Sequence, residues 1–381
     1  MPTRQGWSAL FGGITSIVVG RLFGLIELYI VGSALLAAFV LALLIVNRPL
    51  PRLAVRRIAR PATVGVGEPA RVDIQVANRS SVRTPRLTLW EPVGDKGGAP
   101  MQLAPLGAGE SVSAAYRVPT NRRGVVRTGP LRAERFDPLG LARRSNWLVG
   151  EGEVLVVPQQ LALAFPTAGG AGRLGQHLRM KSYGQSGTEF YSQREYISGD
   201  DLRRINWKSS ARSTTLIVRE TALEGVQRCT VVLDTLAGSY DYDGFERAIV
   251  AAASIVAAAS AAGIAARLAS PGIDLRGPDV APLSLRYLAT VEVGDEVVDH
   301  SSGGRSSADG LGVLVVVTSH ITSVAAVTAM AAAVPEEVVI AVCSMVPAGN
   351  SRGGFSVDAT SLTELHRSWS SLVMGRAGAY A

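Results

Sequence analysis

The stretch Gly187-Thr-Glu-Phe-Tyr-Ser-Gln-Arg-Glu-Tyr-Ile-Ser-Gly-Asp-Asp-Leu-Arg-Arg-Ile-Asn-Trp-Lys-Ser-Ser-Ala-Arg212 places four carboxylates and five cations around aromatic anchors, midway along a chain of 381 residues. Phe190 to Ile197 reads as a strand, with Glu189, Tyr191, Gln193 and Glu195 on one face and Phe190, Ser192, Arg194 and Tyr196 on the other. Ser198-Gly-Asp-Asp201 has the spacing of a capping box and predicts a short helix from about Gly199, carrying Arg203 and Arg204. Interleaved carboxylates and guanidinium groups form bidentate pairs that fix geometry. Three roles therefore stand open for Glu189, Arg194, Glu195, Tyr196, Asp200, Asp201, Arg203, Trp207, Lys208 and Arg212. They suit a structural ion network joining two domains, which is favoured over an acid–base site using Glu195, Asp200 or Asp201, while a docking surface anchored by Trp207 and Tyr196 would use the same residues. No nucleophile supports the acid–base role, because Ser209, Ser210 and Ser213 lack a partnered histidine and His177, His300, His320 and His366 are scattered.

The positions Gly187, Glu189, Phe190, Arg194-Glu-Tyr196, Gly199-Asp-Asp201, Arg203, Ile205, Trp207-Lys208 and Ala211-Arg212 resemble the signature of the bacterial family called domain of unknown function 58. Arg122-Arg-Gly-Val-Val-Arg-Thr-Gly-Pro-Leu and Phe136-Asp-Pro-Leu-Gly-Leu resemble a further region of that family. The resemblance implies a membrane-anchored protein with a von Willebrand factor A-like domain. It also implies association with a MoxR-type AAA+ ATPase, with which family members are commonly encoded, in a chaperone-like or assembly role. The chain has no phosphate-binding loop of the Gly-x-x-x-x-Gly-Lys-Ser/Thr type, so nucleotide-driven work falls to a partner.

Outward from the signature, the chain changes character in both directions. Towards the N-terminus, Leu28 to Val46 runs 19 residues without a charge. As a helix it spans about 28 Å, the thickness of a hydrocarbon core. Trp7 to Leu25 is also apolar, with Arg21 near its end, and the two predict a transmembrane hairpin over residues 1–47 that bends at Arg21 and Glu27. No small-residue cleavage site follows, which argues against a signal peptide. Instead residues 48–62 form a basic juxtamembrane linker containing Arg48, Arg52, Arg56, Arg57 and Arg60. The positive-inside rule then puts the soluble domains in the cytoplasm, on a multi-pass protein anchored in the lipid bilayer of the plasma membrane; the arginines read first as a topology signal, with contact to anionic headgroups the alternative.

The net charge of +7 is concentrated at the same place. Residues 1–60 carry seven arginines against Glu27 alone, leaving a net +1 for everything after them, which disfavours nucleic-acid binding. Arginine outnumbers lysine heavily, with only Lys96, Lys181 and Lys208 present; with abundant Ala and Gly this reads as the composition of a GC-rich bacterial genome.

Residues 63–150 show short alternating runs punctuated by Gly, Pro and Asn, such as Ala70-Arg-Val-Asp-Ile-Gln-Val-Ala-Asn, and predict a small β-sandwich module. Residues 151–228 are assigned to the signature segment joining two domains. Residues 229–381 alternate apolar β-rich runs at Thr230–Leu233, Ile264–Leu268, Val313–Val317 and Val338–Val342 with helical patterns at Gly244–Ala262, Leu283–Ala289, Val324–Ala333 and Ser361–Val373. That order predicts a doubly wound α/β domain, and with the resemblance points to a von Willebrand factor A-like fold. Such domains often hold a divalent ion on Asp-x-Ser-x-Ser after the first strand. Here Asp234-Thr-Leu-Ala-Gly-Ser sets Leu236 and Gly238 where hydroxyls belong, so no metal and no cofactor are expected. Cys229 and Cys343 lie at or within apolar runs and read as small buried hydrophobes. The favoured reading is a membrane-tethered, non-enzymatic adaptor or scaffold; the alternative is a membrane-surface hydrolase using the acidic cluster.

Overall fold

The computed structural model describes residues 1–95, 97–165, 172–182, 189–198, 202, 205–222, 228–238, 240–295, 312–319, 338–345 and 355–375. The chain divides into two compact units, Met1–Val156 and Val157–Ala381.

The first unit opens with helices α1 (Arg4–Phe23) and α2 (Ile26–Asn47), both long and apolar enough to cross a membrane, with mean hydropathy 1.3 and 2.7. Thr3 caps α1 by accepting from the Gly6 amide at 3.1 Å, and Gly24, at φ 72°, ends it in a left-handed turn that only glycine adopts without strain. The helices meet closely at Gly13 and Gly32, where a Cβ on Gly32 would come within 2.8 Å of the Gly13 carbonyl oxygen. Arg21 in the last turn of α1 and Glu27 in the first turn of α2 complement the two helix dipoles at the bend.

Ten strands follow: β1 (Leu53–Arg60), β2 (Thr63–Gly65), β3 (Arg71–Asn78), β4 (Leu87–Val93), β5 (Gly97–Leu103), β6 (Ser111–Arg117), β7 (Gly124–Thr128), β8 (Leu131–Phe136), β9 (Arg143–Val149) and β10 (Gly152–Val157). One sheet runs β1-β3-β6; the other runs β2-β10-β7-β4-β8-β9, with β5 on β4. Period-two alternation puts Val72, Ile74 and Val76 of β3, Leu87 and Leu89 of β4, and Val154 and Val156 of β10 into one core. Residues 48–62 differ from the expected linker. Leu53–Arg60 is a sheet strand, paired antiparallel with β3 from Leu53↔Asn78 to Arg60↔Arg71. Arg56 and Arg60 alternate with Leu53, Val55 and Ala59, which pack on the core, while Arg57 falls on the same inward face as those three, so a strand signal lay beneath the charge.

In the second unit, α3 (Arg173–Ser182) precedes the antiparallel pair β11 (Glu189–Glu195) and β12 (Ile217–Ala222), between which lies the short α4 (Trp207–Ser210). A six-stranded sheet follows from β13 (Arg228–Leu233), β14 (Ala265–Ser270), β15 (Ile273–Arg276), β16 (Gly312–Thr318), β17 (Val338–Ser344) and β18 (Phe355–Asp358), in the order β15-β14-β13-β16-β17-β18. All neighbours are parallel except β15, an antiparallel edge strand on β14. Helices α5 (Tyr242–Ala261), α6 (Val280–Thr290) and α7 (Leu362–Met374) complete the described elements. The expected helix at Val324–Ala333 lies outside the described residues. By length and composition α5 also passes for a membrane span, but 67% of its apolar window is buried in the protein. Ala248, Ile249, Ala252 and Ile255 of α5 share a core with Val231, Leu268 and Val315, so this helix is a core element.

Of the joining segment expected over residues 151–228, the described residues on the N-terminal side are shared between the two cores. β10 belongs to the β-sandwich, whereas Leu174 and Leu178 of α3 are buried in the α/β core, and the indole N–H of the buried Trp369 donates to the Ala164 carbonyl at 2.7 Å. Cys229 and Cys343 are free and fully buried in β13 and β17, and burial pushes each thiol up to about 12.

Candidate functional site

The signature begins on β11, whose register against β12 shifts between Phe190 and Ser192. The bulge breaks the simple alternation expected from Glu189 to Tyr196. Beyond it, Gln193↔Arg219, Arg194↔Val218 and Glu195↔Ile217 face one another. Tyr196 continues the ladder by donating its amide to the Leu216 carbonyl at 2.8 Å. Glu195 is exposed, and its Oε1 accepts from the Thr215 hydroxyl at 3.2 Å. Arg194 is half-buried, and its Nη1 donates to the Glu195 carbonyl at 3.0 Å. Side-chain placement at Glu189 and the positions of Asp200, Asp201 and Arg203 lie outside the described residues, as does the helix expected from Gly199.

The described helix of the signature is α4, and its cap is Asn206, whose Oδ1 accepts from the Ser209 amide at 3.2 Å. Two buried residues pin this turn against the hairpin. Ile205 bridges Val218, and the Asn206 amide donates to the Ile217 carbonyl at 2.8 Å. The Ile217 amide in turn donates to the Ser210 hydroxyl at 2.8 Å. With its backbone fixed this way, α4 leaves Trp207 66% exposed, beside the exposed Lys208 and Arg212. Ile197 and Leu202 are also more than half exposed, at 65% and 62%. Three large apolar side chains within eleven residues are thus held open to solvent on a braced backbone, with charged groups around them. Sequence reading named Trp207 and Tyr196 as anchors; it placed Ile197 at the end of a strand and gave Leu202 no role.

The second place of interest is the carboxyl end of β13. Asp234 accepts from the Leu236 amide at 3.0 Å through Oδ1 and from the Thr318 hydroxyl at 3.2 Å through Oδ2. The carboxylate therefore closes a turn and ties the ends of β13 and β16 together. Ser319 is buried, and its hydroxyl has no hydrogen-bond partner among the described residues. Tyr240 lies close by, and burial, then the charge of Asp234, raises its phenol far above the ordinary range. With Leu236 and Gly238 offering no side-chain oxygen, this donor set does not fit the five-residue ion motif of such folds. Among the described residues no three His, Cys, Asp or Glu side chains gather as a metal group.

Comparison with known proteins bears on the same region. A family model described as Protein of unknown function DUF58 matches residues 192–274, from the second half of β11 to the start of β15. That match supports the domain of unknown function 58 family. No curated protein matches the chain. Among solved structures, the CARDB domain of a Pyrococcus furiosus protein is similar over 30% of this chain and 99% of its own, at 19% identity and TM-score 0.22. The PKD domain of an M14-like peptidase from a Thermoplasmatales archaeon gives 30%, 99%, 19% and 0.19 for the same quantities. A Bordetella pertussis protein described as the putative ApaA gives 28%, 98%, 12% and 0.20. Scores this low support no statement about fold or activity.

Proposed function

We propose that this chain is a membrane-tethered, non-enzymatic adaptor that docks a protein partner through the exposed face of its signature segment. The observation that carries the reading is the exposure of Trp207 on a turn pinned by Ile205 and Val218. An aromatic side chain costs free energy in water and anchors an interface when covered. Lys208, Arg212 and Glu195 supply a charged rim that selects the partner. The family resemblance names a MoxR-type AAA+ ATPase for that role. In this reading helices α1 and α2 span the plasma membrane as a hairpin, and the arginine-rich segment that follows keeps the soluble domains in the cytoplasm with the ATPase. The second unit is a von Willebrand factor A-like domain. Its order of a central β13, flanking parallel strands and one antiparallel edge strand supports that assignment.

A photo-crosslinking amino acid placed at Trp207 in the full-length protein, in its native cells, tests the proposal. The expected adduct joins the chain to the AAA+ ATPase. Crosslinks to lipid or to the chain's own β-module, with none to the ATPase, would sink the docking role.

A further inference from the structure

A cavity of about 780 Å³ lies where α2 meets the β-module, lined by Ile45 and Arg48 from the end of the helix and by Arg83, Arg86, Glu134 and Arg135 from the strands and their connections. Arg135 dominates it. Its residue is only 6% exposed, and its Nη1 donates to the carbonyl oxygens of Ile45 at 3.3 Å and Arg48 at 3.0 Å, at the C-terminal end of α2. Its Nε is buried with no hydrogen-bond partner. Burial, then the positive charges of Arg144 and Arg48, lower its pKa, and a guanidinium does not give up its proton near neutrality. A buried cation with like charges beside it calls for an anion.

The acids at the cavity wall do not meet that need in full. Asp137 spends both carboxylate oxygens on backbone amides, Oδ2 on Leu139 at 2.9 Å and Oδ1 on Ala142 at 2.6 Å. Glu134 is one carboxylate in a lining that holds four arginines. The cavity also sits at a particular depth. Ile45 lies one residue before the end of the apolar run of α2, whose Leu41 and Leu44 are exposed just before it, so the arginines stand where the helix leaves the hydrocarbon for the headgroup layer.

We infer that this cavity binds the phosphate of an anionic phospholipid, with Arg48, Arg83, Arg86 and Arg135 around the headgroup and the acyl chains running along α2 past Leu44 and Leu41. A lipid is favoured over a free phosphate because the apolar wall continues out of the basic site along the helix.

The test uses the full chain in detergent, titrated with phosphatidylglycerol, phosphatidylcholine or inorganic phosphate and read by native mass spectrometry. Arg83 and Arg86 are exposed, so R83A/R86A keeps the fold, which a melting curve checks. R117A/R127A removes equal charge from exposed positions outside the cavity. Wild type and R117A/R127A are expected to prefer phosphatidylglycerol over phosphatidylcholine by about tenfold or more, and R83A/R86A to lose most of that preference. Equal binding of the two lipids by wild type, an undiminished preference in R83A/R86A, or an equal loss in R117A/R127A would overturn the site. Inorganic phosphate bound as tightly as phosphatidylglycerol would overturn the lipid.

Discussion

At the scale of single residues, two carboxylates divide the roles that sequence reading gave to one cluster. Glu91 of β4 has a fully buried side chain, and its Oε1 accepts from Arg57 Nη1 at 2.6 Å. The Arg57 side chain is 11% exposed, and its guanidinium lies against Gly129 and Gly152, where any Cβ would collide with it. Arg57→Ala strands a buried charge and is expected to cost about 3 to 5 kcal/mol, read as a loss of thermal midpoint. Glu195, by contrast, is exposed and bonded to Thr215, so Glu195→Gln is expected to stay within about 0.5 kcal/mol of wild type. A structural lock needs its charges buried, and Glu195 does not fit one. Sequence pattern cannot separate these cases, because charge spacing looks the same at a surface and in a core. Arg57 was legible only as part of a topology signal; its partner lies 34 residues away and becomes visible only with the β-module folded.

At the scale of elements, legibility follows burial. The parallel strands β13, β14, β16 and β17 read as short β-rich runs with few polar residues, Arg267 being an interruption in β14, so each was placed within a few residues. The helices α5, α6 and α7 were legible from their 3.6-residue period. The edge strands β15 and β18 are only four residues each, and Ile273-Asp-Leu-Arg276 alternates as a half-buried strand does but is too short to stand out from its turns. An ionic contact adds to the backbone ladder that holds β15 on β14. Asp274 accepts from the buried Arg267 at 2.7 and 2.9 Å and from Arg276. Hydrogen bonds from Arg276 and then Arg267 hold its carboxyl well below the usual range. A depressed folded-state pKa contributes stability that is complete above the unfolded value near 4 and is lost as pH falls through the folded value. Asp274→Asn is therefore expected to destabilise at neutral pH and to flatten the loss of stability below about pH 4. Parallel acid-denaturation curves for the two proteins decide the point, and identical slopes would show that the bridge carries no linkage.

At the scale of the whole molecule, the chain divides into separate stretches: a pair of apolar N-terminal helices, a β-sandwich, and an α/β unit whose signature exposes Ile197, Leu202 and Trp207. The hairpin and the alternation of strands and helices were plain in the sequence because length and periodicity alone specify them. The boundary between the units was not, since Gly152–Val157 and Leu174 are claimed by different cores through contacts distant in the chain. Nor was the open stance of Ile197, Leu202 and Trp207, because an apolar residue carries no mark of which side of a turn it occupies. The central claim is that this stance is for docking. Its most direct test is a binding titration of the purified MoxR-type ATPase against the full chain in detergent, comparing wild type with Trp207→Ala at matched melting temperatures. The account predicts saturable binding by wild type and a loss of more than about 2 kcal/mol, some thirtyfold in Kd, on removing the indole. Equal affinity for the two proteins, or no binding by wild type, would contradict it.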